Sequence, residues 1–237
     1  MRWELTVHCR CEIFYLLLPT VLTDWWGFFY RYRRGSVVDR IAVFLDFENV
    51  HRTGHELFAG VGARHYETVV NPIKIAERLI AKRRDTSELV AVYVFRGRPV
   101  PEFQPKSASS NDIQAAAWST DHRVHLVRRD LKYEREGDKF IAREKGIDVA
   151  LAVALVETAM LREYDAAIIF SGDTDLLPAI ELAYRRTEPK IELACWSSAK
   201  PLWFSEGLNM EPPKRFPFCH FLSAQDFLEC RDYSVGQ

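Results

Sequence analysis

Two aspartates closely follow two apolar runs of this chain, and this placement is the first sign of chemistry. Asp46 follows residues 41–45, and Asp173 lies three residues beyond residues 166–170. Neither run alternates polar and apolar residues, which is typical of strands buried on both faces of a parallel sheet. Residues just beyond the carboxyl ends of such strands line the functional crevice of an α/β protein. We therefore expect the two aspartates to lie a few ångströms apart.

Two carboxylates held at that distance repel each other unless a proton or a cation lies between them. Carboxylate oxygens on a rigid sheet edge are hard ligands, which suit Mg²⁺ or Mn²⁺. We therefore predict an acidic metal site with Mg²⁺ or Mn²⁺ as its cofactor. Asp148 and Asp175 are two further candidate ligands. The alternatives are that Asp148 only begins a helix and that Asp175 only caps one.

Asn49 lies three residues beyond Asp46 and is a neutral candidate for the same crevice. If the chain turns into a helix there, both side chains face one side, and the amide can hold a metal-bound water or a phosphate. The alternative is that Asn49 is only a turn residue. Glu48 is expected to point elsewhere, into the surroundings of the site or to the protein surface.

Several carboxylates around one or two Mg²⁺ ions are an arrangement suited to phosphodiester hydrolysis. The metal activates a water, orients the phosphate and neutralises charge on the leaving oxygen. The sequence shows no evident serine or cysteine nucleophile with a partner base and no Walker-type glycine loop. Metal-dependent hydrolysis is therefore the chemistry that these residues predict.

Basic residues follow the second and third predicted strands, and the same topological argument brings them to the edge that carries the aspartates. A polyanion would meet a positive margin there, beside a metal centre. The alternative is that these side chains are only solvated. Three aromatic side chains are candidates to stack on bases: Phe103, Tyr133 and Trp196. The candidate residues for binding such a polyanion are Arg96, Arg98, Arg128, Arg129, Lys132 and Lys145.

Composition limits the architecture more than the function. The chain has 237 residues, of which 48% are hydrophobic, enough for one α/β domain plus an extension. Its net charge of −1 excludes global basicity, so any surface for nucleic acid must be local. The five cysteines form neither a zinc-binding pattern nor a disulfide framework. That usage predicts a reducing, cytoplasmic location, with Cys195 as a thiol in the core.

Strands and helices alternate from about Val37 onward, which predicts a parallel, multilayer α/β domain. The predicted strands are 41–46, 89–95, 124–127, 166–170 and 191–195, and a small hairpin or flap is predicted at 132–141. Residues 54–66 match no predicted element. The predicted segments are an extension at 1–38, the α/β domain at 39–200, and an irregular segment with a final helix packed on the domain at 201–237.

The first 38 residues differ from the rest of the chain. Residues 13–30 are apolar and aromatic, but Pro19 and Asp24 interrupt them and three arginines follow. A spanning helix needs about 20 apolar residues, and the features of a signal peptide are missing. Three alternatives stay open: a membrane anchor or interfacial segment, a packed appendage, or a poorly ordered extension that reflects where translation was assumed to start. We favour the extension and otherwise expect no membrane partner.

Three motifs, in this order, resemble the NYN domain family, the LabA-like branch of the PIN-like nuclease superfamily. They are FLDFENV at 44–50, KGIDV at 145–149 and FSGDTD at 170–175. The resemblance spans residues 39–196 and implies a PIN-like three-layer α/β sandwich. Its central, mostly parallel sheet would have the strand order 3-2-1-4-5 and would be flanked by helices. The resemblance also implies metal-dependent RNA cleavage, with ligands that map to Asp46, Asn49, Asp148 and Asp173 and with Asp175 as an accessory.

Three functions compete for this sequence. The leading hypothesis is a Mg²⁺- or Mn²⁺-dependent endoribonuclease whose partner is single-stranded or structured RNA, with a homodimer as a further option. The second is a catalytically weak RNA-binding or regulatory module with the same pocket, and the third is a phosphatase-like hydrolase of a small phosphoester. Fold alone cannot separate these three functions. The full set of carboxylates favours the first function over the second, and the basic rim disfavours the third.

Overall fold

A six-stranded parallel sheet forms the centre of the structure, a computed structural model that describes residues 38–137, 139–202 and 216–233. Two further strands form a separate antiparallel hairpin. In chain order the strands are β1 (Asp39–Asp46), β2 (Ser87–Arg98), β3 (Val124–Asp130), β4 (Lys132–Glu136), β5 (Lys139–Arg143), β6 (Ala166–Phe170), β7 (Lys190–Trp196) and β8 (Cys219–Leu222). The hairpin is β4-β5, and the large sheet has the order β3-β2-β1-β6-β7-β8.

Helices connect the strands and cover both faces of the sheet. Within the described ranges they are α1 (Phe47–Phe58), α2 (Pro72–Ala81), α3 (Pro105–Trp118), α4 (Ile147–Met160), α5 (Leu177–Arg186) and α6 (Ala224–Glu229). Two 3₁₀-helices, His65–Thr68 and Thr174–Leu176, precede α2 and α5. α1, α2 and α6 pack on one face, and α4 and α5 pack on the other. The structure is therefore a three-layer α/β sandwich.

The central strand β1 explains why its sequence lacks polar alternation. Ile41, Val43 and Leu45 belong to the core beneath α1, α2 and α6, whereas Ala42 and Phe44 belong to the core beneath α4 and α5. All five side chains are 0% exposed. A strand covered on both faces selects apolar residues at every position, so the pattern has no period of two.

Helix α1 runs well beyond residues 47–51, for which the sequence predicts a loop or a first helical turn, and it includes residues 54–58 of the stretch that matches no predicted element. A Cβ at Gly54 would lie 2.7 Å from Cε2 of Phe227 and 3.0 Å from Cε2 of Trp196. Glycine has a low helix propensity, but here its missing side chain lets α1 approach α6 and β7 closely. Tertiary packing therefore decides the length of this helix.

The last helix, α6, is fastened to α2 through a buried carboxylate. Asp226 is 0% exposed and accepts hydrogen bonds from Nε of Arg78 and, at 2.6 Å, from Nζ of Lys82. Ser223 caps the helix, since its hydroxyl accepts the backbone N–H of Asp226 at 3.2 Å. The side chain of Phe227 is fully buried in the core. The final helix thus packs on the domain through both charge and apolar contact.

The predicted fold class is confirmed, and the predicted strand order differs at one edge. The five predicted strands correspond to β3-β2-β1-β6-β7, and β8 extends this order by a sixth strand. β8 has only four residues and takes its place from backbone pairing, in which Phe218 O accepts from Leu193 N at 2.7 Å and Leu222 O from Ser197 N at 2.8 Å. So short a run carries too little local signal to be predicted as a strand.

Several predictions about segments stay predictions. Residues 1–37, which make up almost all of the predicted extension, lie outside the described residues, as do 203–215 and 234–237 near the carboxyl end. Among the described helices, none combines the length and apolar character needed to cross a bilayer. Cys195 is a buried free thiol, as predicted.

Candidate acidic active site

The carboxyl ends of β1 and β6 meet through one serine. The two strands pair in parallel up to Leu45 and Phe170, so Asp46 and Ser171 follow at the same edge. The Ser171 hydroxyl donates to Oδ2 of Asp46 at 2.7 Å and accepts the backbone N–H of Asp173 at 3.0 Å. The two aspartates are therefore linked through a single side chain that is only 2% exposed.

Asn49 holds the same loop from the side of α1. Its Oδ1 accepts the backbone N–H of Gly172 at 2.8 Å. This contact spans 123 residues of sequence and joins the first turn of α1 to the loop after β6. In this structure the Asn49 amide oxygen therefore positions the loop that carries Asp173.

Asp173 begins the 3₁₀-helix that follows it. Its Oδ1 accepts the backbone N–H of Asp175 at 3.0 Å, so Asp173 and not Asp175 is the capping residue. Asp173 is half-buried, whereas Asp175 is exposed. Asp175 thus contacts Asp173 through its backbone.

Asp148 lies half-buried in the first turn of α4. α4 begins at the carboxyl edge of the sheet, because Arg129 of β3 donates to the carbonyl of Gly146 at 3.1 Å. Within the described ranges, however, no three Asp, Glu, His or Cys side chains are placed to hold a metal ion together. The structure therefore links Asp46 to the backbone of Asp173, and the role of Asp148 as a metal ligand stays a prediction.

The electrostatics of Asp46 match a site with excess negative charge. Burial raises the pKa of the Asp46 carboxyl, and repulsion by Asp173 raises it further. The Ser171 hydroxyl, the backbone of Asn49 and the charge of Arg52 oppose that rise. A buried carboxylate beside a second carboxylate is stabilised by a bound cation or by a proton.

Glu144 is a site residue that the sequence analysis missed. It directly follows β5, and its Oε1 accepts the backbone N–H of Gly97 at 2.7 Å. A Cβ at Gly97 would lie 2.5 Å from that oxygen, so this approach needs glycine. Desolvation raises the pKa of Glu144, as does repulsion from Glu48 and Asp46, although the residue as a whole is exposed. The only signal in the sequence was its position just before KGIDV.

Glu48, which we expected to point elsewhere, interacts electrostatically with residues at the same acidic edge. Its charge acts on Glu144 and on Arg96. On its other side, Oε1 of Glu48 lies 4.0 Å from Nε2 of His65. Glu48 therefore connects the acidic edge to a neighbouring group of histidines.

Three histidines gather around the hydroxyl of Thr68. Nε2 of His51 and Nδ1 of His55 lie 3.3 and 2.8 Å from Oγ1 of Thr68, and the rings of His51 and His65 are 3.8 Å apart. Burial, followed by repulsion from His65 and Arg96, lowers the pKa of His51 to about 3. His51 is therefore neutral at physiological pH and ties α1 to the Thr68 segment.

Arg96 lies beneath the acidic edge rather than on its surface. Its guanidinium packs over the rings of Phe47 and Trp118, at 4.6 and 5.2 Å from their centroids, and donates to Oε1 of Gln114 at 2.6 Å. Burial lowers the pKa of Arg96 to about 10, while the charge of Glu48 opposes that change. In this structure Arg96 supports the site from within.

The other predicted basic residues divide into two groups. Arg98 and Arg128 both pair with the carboxylate of Asp112, and Arg129 donates to a backbone carbonyl of the α4 entry. Lys132 and Lys145 are exposed. The register of β2 with β3 places Arg96 beside Arg128 and Gly97 beside Arg129, so these residues share the expected edge.

Trp196 is unavailable for base stacking, and that expectation is wrong. The side chain is 1% exposed and its Nε1 donates to the carbonyl of Val50 at 2.9 Å. It lies in the core between α1 and α6, where it packs against Phe170 and Phe227. Burial at the end of β7 satisfies both the ring and its single donor.

The fold and the site define an α/β protein with carboxylates gathered at the carboxyl edge of a parallel sheet. The family model of the NYN domain matches residues 40–198, and this chain belongs to the NYN domain family. Its members are generally PIN-like nucleases. The predicted family is therefore confirmed.

One solved structure is similar to this chain in part. It is the crystal structure of a protein of unknown function from Vibrio parahaemolyticus RIMD 2210633, which is 18% identical with a TM-score of 0.43. The match covers 68% of this chain and 83% of that one. No curated protein matches this chain.

Proposed function

We propose that this chain is a metal-dependent endoribonuclease that hydrolyses RNA phosphodiester bonds at the acidic edge of its sheet. The observation that carries the proposal is the link from Asp46 through Ser171 to Asp173. The Asp46 carboxylate and the backbone of Asp173 are held by the same hydroxyl at adjoining strand ends, and burial and repulsion by Asp173 raise the pKa of Asp46. A divalent cation neutralises the charge that such an arrangement otherwise penalises.

The donor set fits Mg²⁺ or Mn²⁺, because the candidate ligands Asp46, Asp148, Asp173 and Asp175 all supply carboxylate oxygens. When bound, the metal supplies an activated water and a positive charge for the leaving oxygen. The chain's own residues keep the site in order. The Ser171 hydroxyl favours the ionised form of Asp46, and the Asn49 amide holds the loop before Asp173. Lys132 and Lys145 are exposed and suited to phosphate contacts.

One observation favours the second candidate, an RNA-binding module that cleaves slowly or not at all. The described residues contain no group of three ligand side chains already placed around a metal position. Cleavage by the purified protein separates the two candidates, because only the nuclease turns RNA over.

The test uses the full chain, a fluorescently labelled single-stranded RNA, and either Mn²⁺ or EDTA. We expect cleavage with Mn²⁺ and none with EDTA. Asp46→Asn and Asp173→Asn remove one negative charge each without changing side-chain volume. Each is expected to lower the rate at least about 100-fold, because a ligand is lost.

The matched control is Asp85→Asn. Asp85 is 69% exposed and precedes β2 at the opposite edge of the sheet, where it pairs with Lys190. This variant should cleave at the parent rate. Cleavage that survives EDTA, or that is equal in the Asp46→Asn and Asp85→Asn variants, would rule out the metal-dependent mechanism. RNA binding without turnover would instead identify the binding module.

A further inference from the structure

The β4-β5 hairpin carries an exposed aromatic and basic face. Directly paired residues of an antiparallel ladder point to the same side of the hairpin. Tyr133 pairs with Ala142, and Arg135 pairs with Phe140, and the two pairs are two positions apart along each strand. All four side chains therefore share one face. Phe140 is 56% exposed, so its ring is accessible on this face.

A third ring completes this surface from the loop after β2. The ring of Phe103 stacks on Tyr133 at 4.2 Å and 15°, and it lies 5.0 Å from the ring of Phe140. The Tyr133 hydroxyl accepts the backbone N–H of Val100 at 3.1 Å, which fastens the hairpin to the loop. Tyr133 is half-buried beneath this stack, whereas Phe103 stays 39% exposed. Phe103, Arg135 and Phe140 form what we call the hairpin platform.

Both faces of the hairpin carry basic residues. On the side opposite the platform, Arg143 pairs with Glu134 at 3.1 Å and with Glu136 at 3.0 Å, and Lys132 and Lys139 lie on the same side. On the platform side, Arg135 is exposed next to Phe140, and its Nε donates to the carbonyl of Gly137. The platform thus presents two aromatic rings beside a guanidinium.

The hairpin stands directly on the rim of the acidic site. At its first strand, the backbone N–H of Leu131 donates to the carbonyl of Arg98 at 2.9 Å, which joins the hairpin to the end of β2. At its second strand, β5 leads into Glu144, on whose carboxyl the charge of Asp46 acts. A strand of nucleic acid that crosses the platform is therefore close to the carboxylates.

We propose that the hairpin platform binds single-stranded RNA, with bases stacked on Phe140 and Phe103 and a phosphate held by Arg135. This inference rests on the proposed function, since it names the form of RNA that the acidic edge receives. Exposed rings stack on bases only where those bases are unpaired and splayed out. A cation beside the rings supplies a contact to phosphate, which a single strand of RNA presents between successive bases.

The experiment measures RNA affinity without cleavage, by fluorescence anisotropy of a labelled oligouridine in EDTA. Phe140→Leu keeps an apolar side chain but removes the ring, and we expect affinity to fall at least about five-fold, the lower end of the loss per stacked base. Phe140→Trp keeps a ring and should bind like the parent. Arg135→Gln should reduce the slope of log affinity against log salt by about 0.7, the value for one phosphate on a single strand.

The matched control is Phe218→Leu. Phe218 precedes β8 and is 58% exposed, so the same substitution is made at a similarly exposed ring away from the platform. This control should bind like the parent. Four outcomes would each overturn the proposal. They are equal affinity of Phe140→Leu and parent, equal loss of affinity in Phe140→Leu and Phe218→Leu, preference for duplex RNA, and no RNA binding at all. The first of these is also the result expected if the platform serves a protein partner.

Measuring both RNA affinity and RNA cleavage distinguishes failure of the platform proposal from failure of the nuclease proposal. Binding that depends on Phe140, without Mn²⁺-dependent cleavage, keeps the platform and removes the nuclease. Cleavage that depends on Asp46, with normal RNA affinity in Phe140→Leu, keeps the nuclease and removes the platform.

Discussion

The hydroxyl of Ser171 donates a hydrogen bond of 2.7 Å to a carboxylate oxygen of Asp46, although the two residues are 125 positions apart in the chain. The same oxygen of Ser171 accepts the backbone N–H of Asp173. One small side chain therefore favours the ionised form of the first aspartate and holds the backbone of the second. This contact exists because β1 and β6 are neighbours in the sheet.

Replacing Ser171 by alanine tests that double role. The hydroxyl lowers the pKa of Asp46 against the effect of burial, so its loss makes the carboxyl harder to ionise. We expect the rate of Mn²⁺-dependent cleavage to fall about 10- to 100-fold, as for other residues that orient a metal ligand. The acid limb of the pH–rate profile should move to higher pH, which a series of initial rates at different pH values measures.

Thr174→Ala provides the comparison for Ser171→Ala. Thr174 carries an exposed hydroxyl three residues further along the same loop. Its removal should leave the acid limb in place. An acid limb that does not move in Ser171→Ala, in a protein that still melts like the parent, would contradict the link between the hydroxyl and Asp46.

Gly54→Ala tests the close approach of α1 to the C-terminal helix. Helix propensity alone favours alanine by about 1 kcal/mol. A Cβ would however lie 2.7 Å from the buried ring of Phe227, and overpacking of a core costs about 1–3 kcal/mol. We expect the clash to prevail and the free energy of unfolding in urea to fall by about 1 kcal/mol.

Gly60→Ala is the matched substitution. A Cβ at Gly60 would have no heavy atom within 4 Å among its surroundings. The free energy of unfolding should therefore stay the same or rise slightly, because alanine reduces the entropy of the unfolded chain. If Gly54→Ala stabilises the protein as much as Gly60→Ala does, the packing of α1 against Phe227 is not as tight as described.

His51 predicts how stability depends on pH. Its pKa is lowered from 6.5 to about 3, so between these two values the unfolded chain binds a proton that the folded chain does not. The free energy of unfolding should therefore be highest above pH 6.5 and fall as the pH drops toward 3. One proton corresponds to a slope of up to about 1.4 kcal/mol per pH unit. Urea unfolding at several pH values measures this slope.

His51→Gln removes the titrating group. Its free energy of unfolding should therefore change less with pH than that of the parent between pH 6 and about 4, because His51 takes up its proton on unfolding in that range. The neighbouring His65, whose pKa burial also lowers, leaves part of the slope in place. His122→Gln is the control, because the His122 side chain is 95% exposed. Parallel curves for the parent and His51→Gln would show that His51 does not carry this dependence.

Local sequence was sufficient for the elements whose causes are local. The Asn71-Pro72 pair predicts a helix start, and in the structure the Asn71 side chain accepts the N–H groups of Ile73 and Lys74 at 3.0 and 3.2 Å. The β4-β5 hairpin is equally local, since its paired residues are close in sequence. In contrast, β8 depends on backbone pairing with β7 rather than on its own residues, and most of α1 depends on a partner more than 100 residues away, since Gly54 packs against Phe227.

The candidate site also combines features with local causes and features with long-range causes. Motifs and strand ends were enough to name Asp46, Asn49 and Asp173, because the ends of parallel strands meet at one edge wherever strands are adjacent. No local pattern could show that Glu144 bends back to the Gly97 backbone, or that Asp112 takes up two of the predicted RNA-binding arginines. Those pairings arise only when a loop and a helix from other parts of the chain arrive at the edge.

By itself, the sequence determined that the chain forms a buried parallel sheet with acidic residues at its carboxyl edge. It did so because strands covered on both faces must be apolar at every position. Tertiary structure alone decided which charged side chains lie close enough to interact, which aromatic rings are buried and which rings face solvent. Trp196 and Phe140 show the reason: both are aromatic residues near strand ends, but one is 1% and the other 56% exposed. Trp196 ends a strand that α1 and α6 cover, whereas Phe140 lies on the separate β4-β5 hairpin.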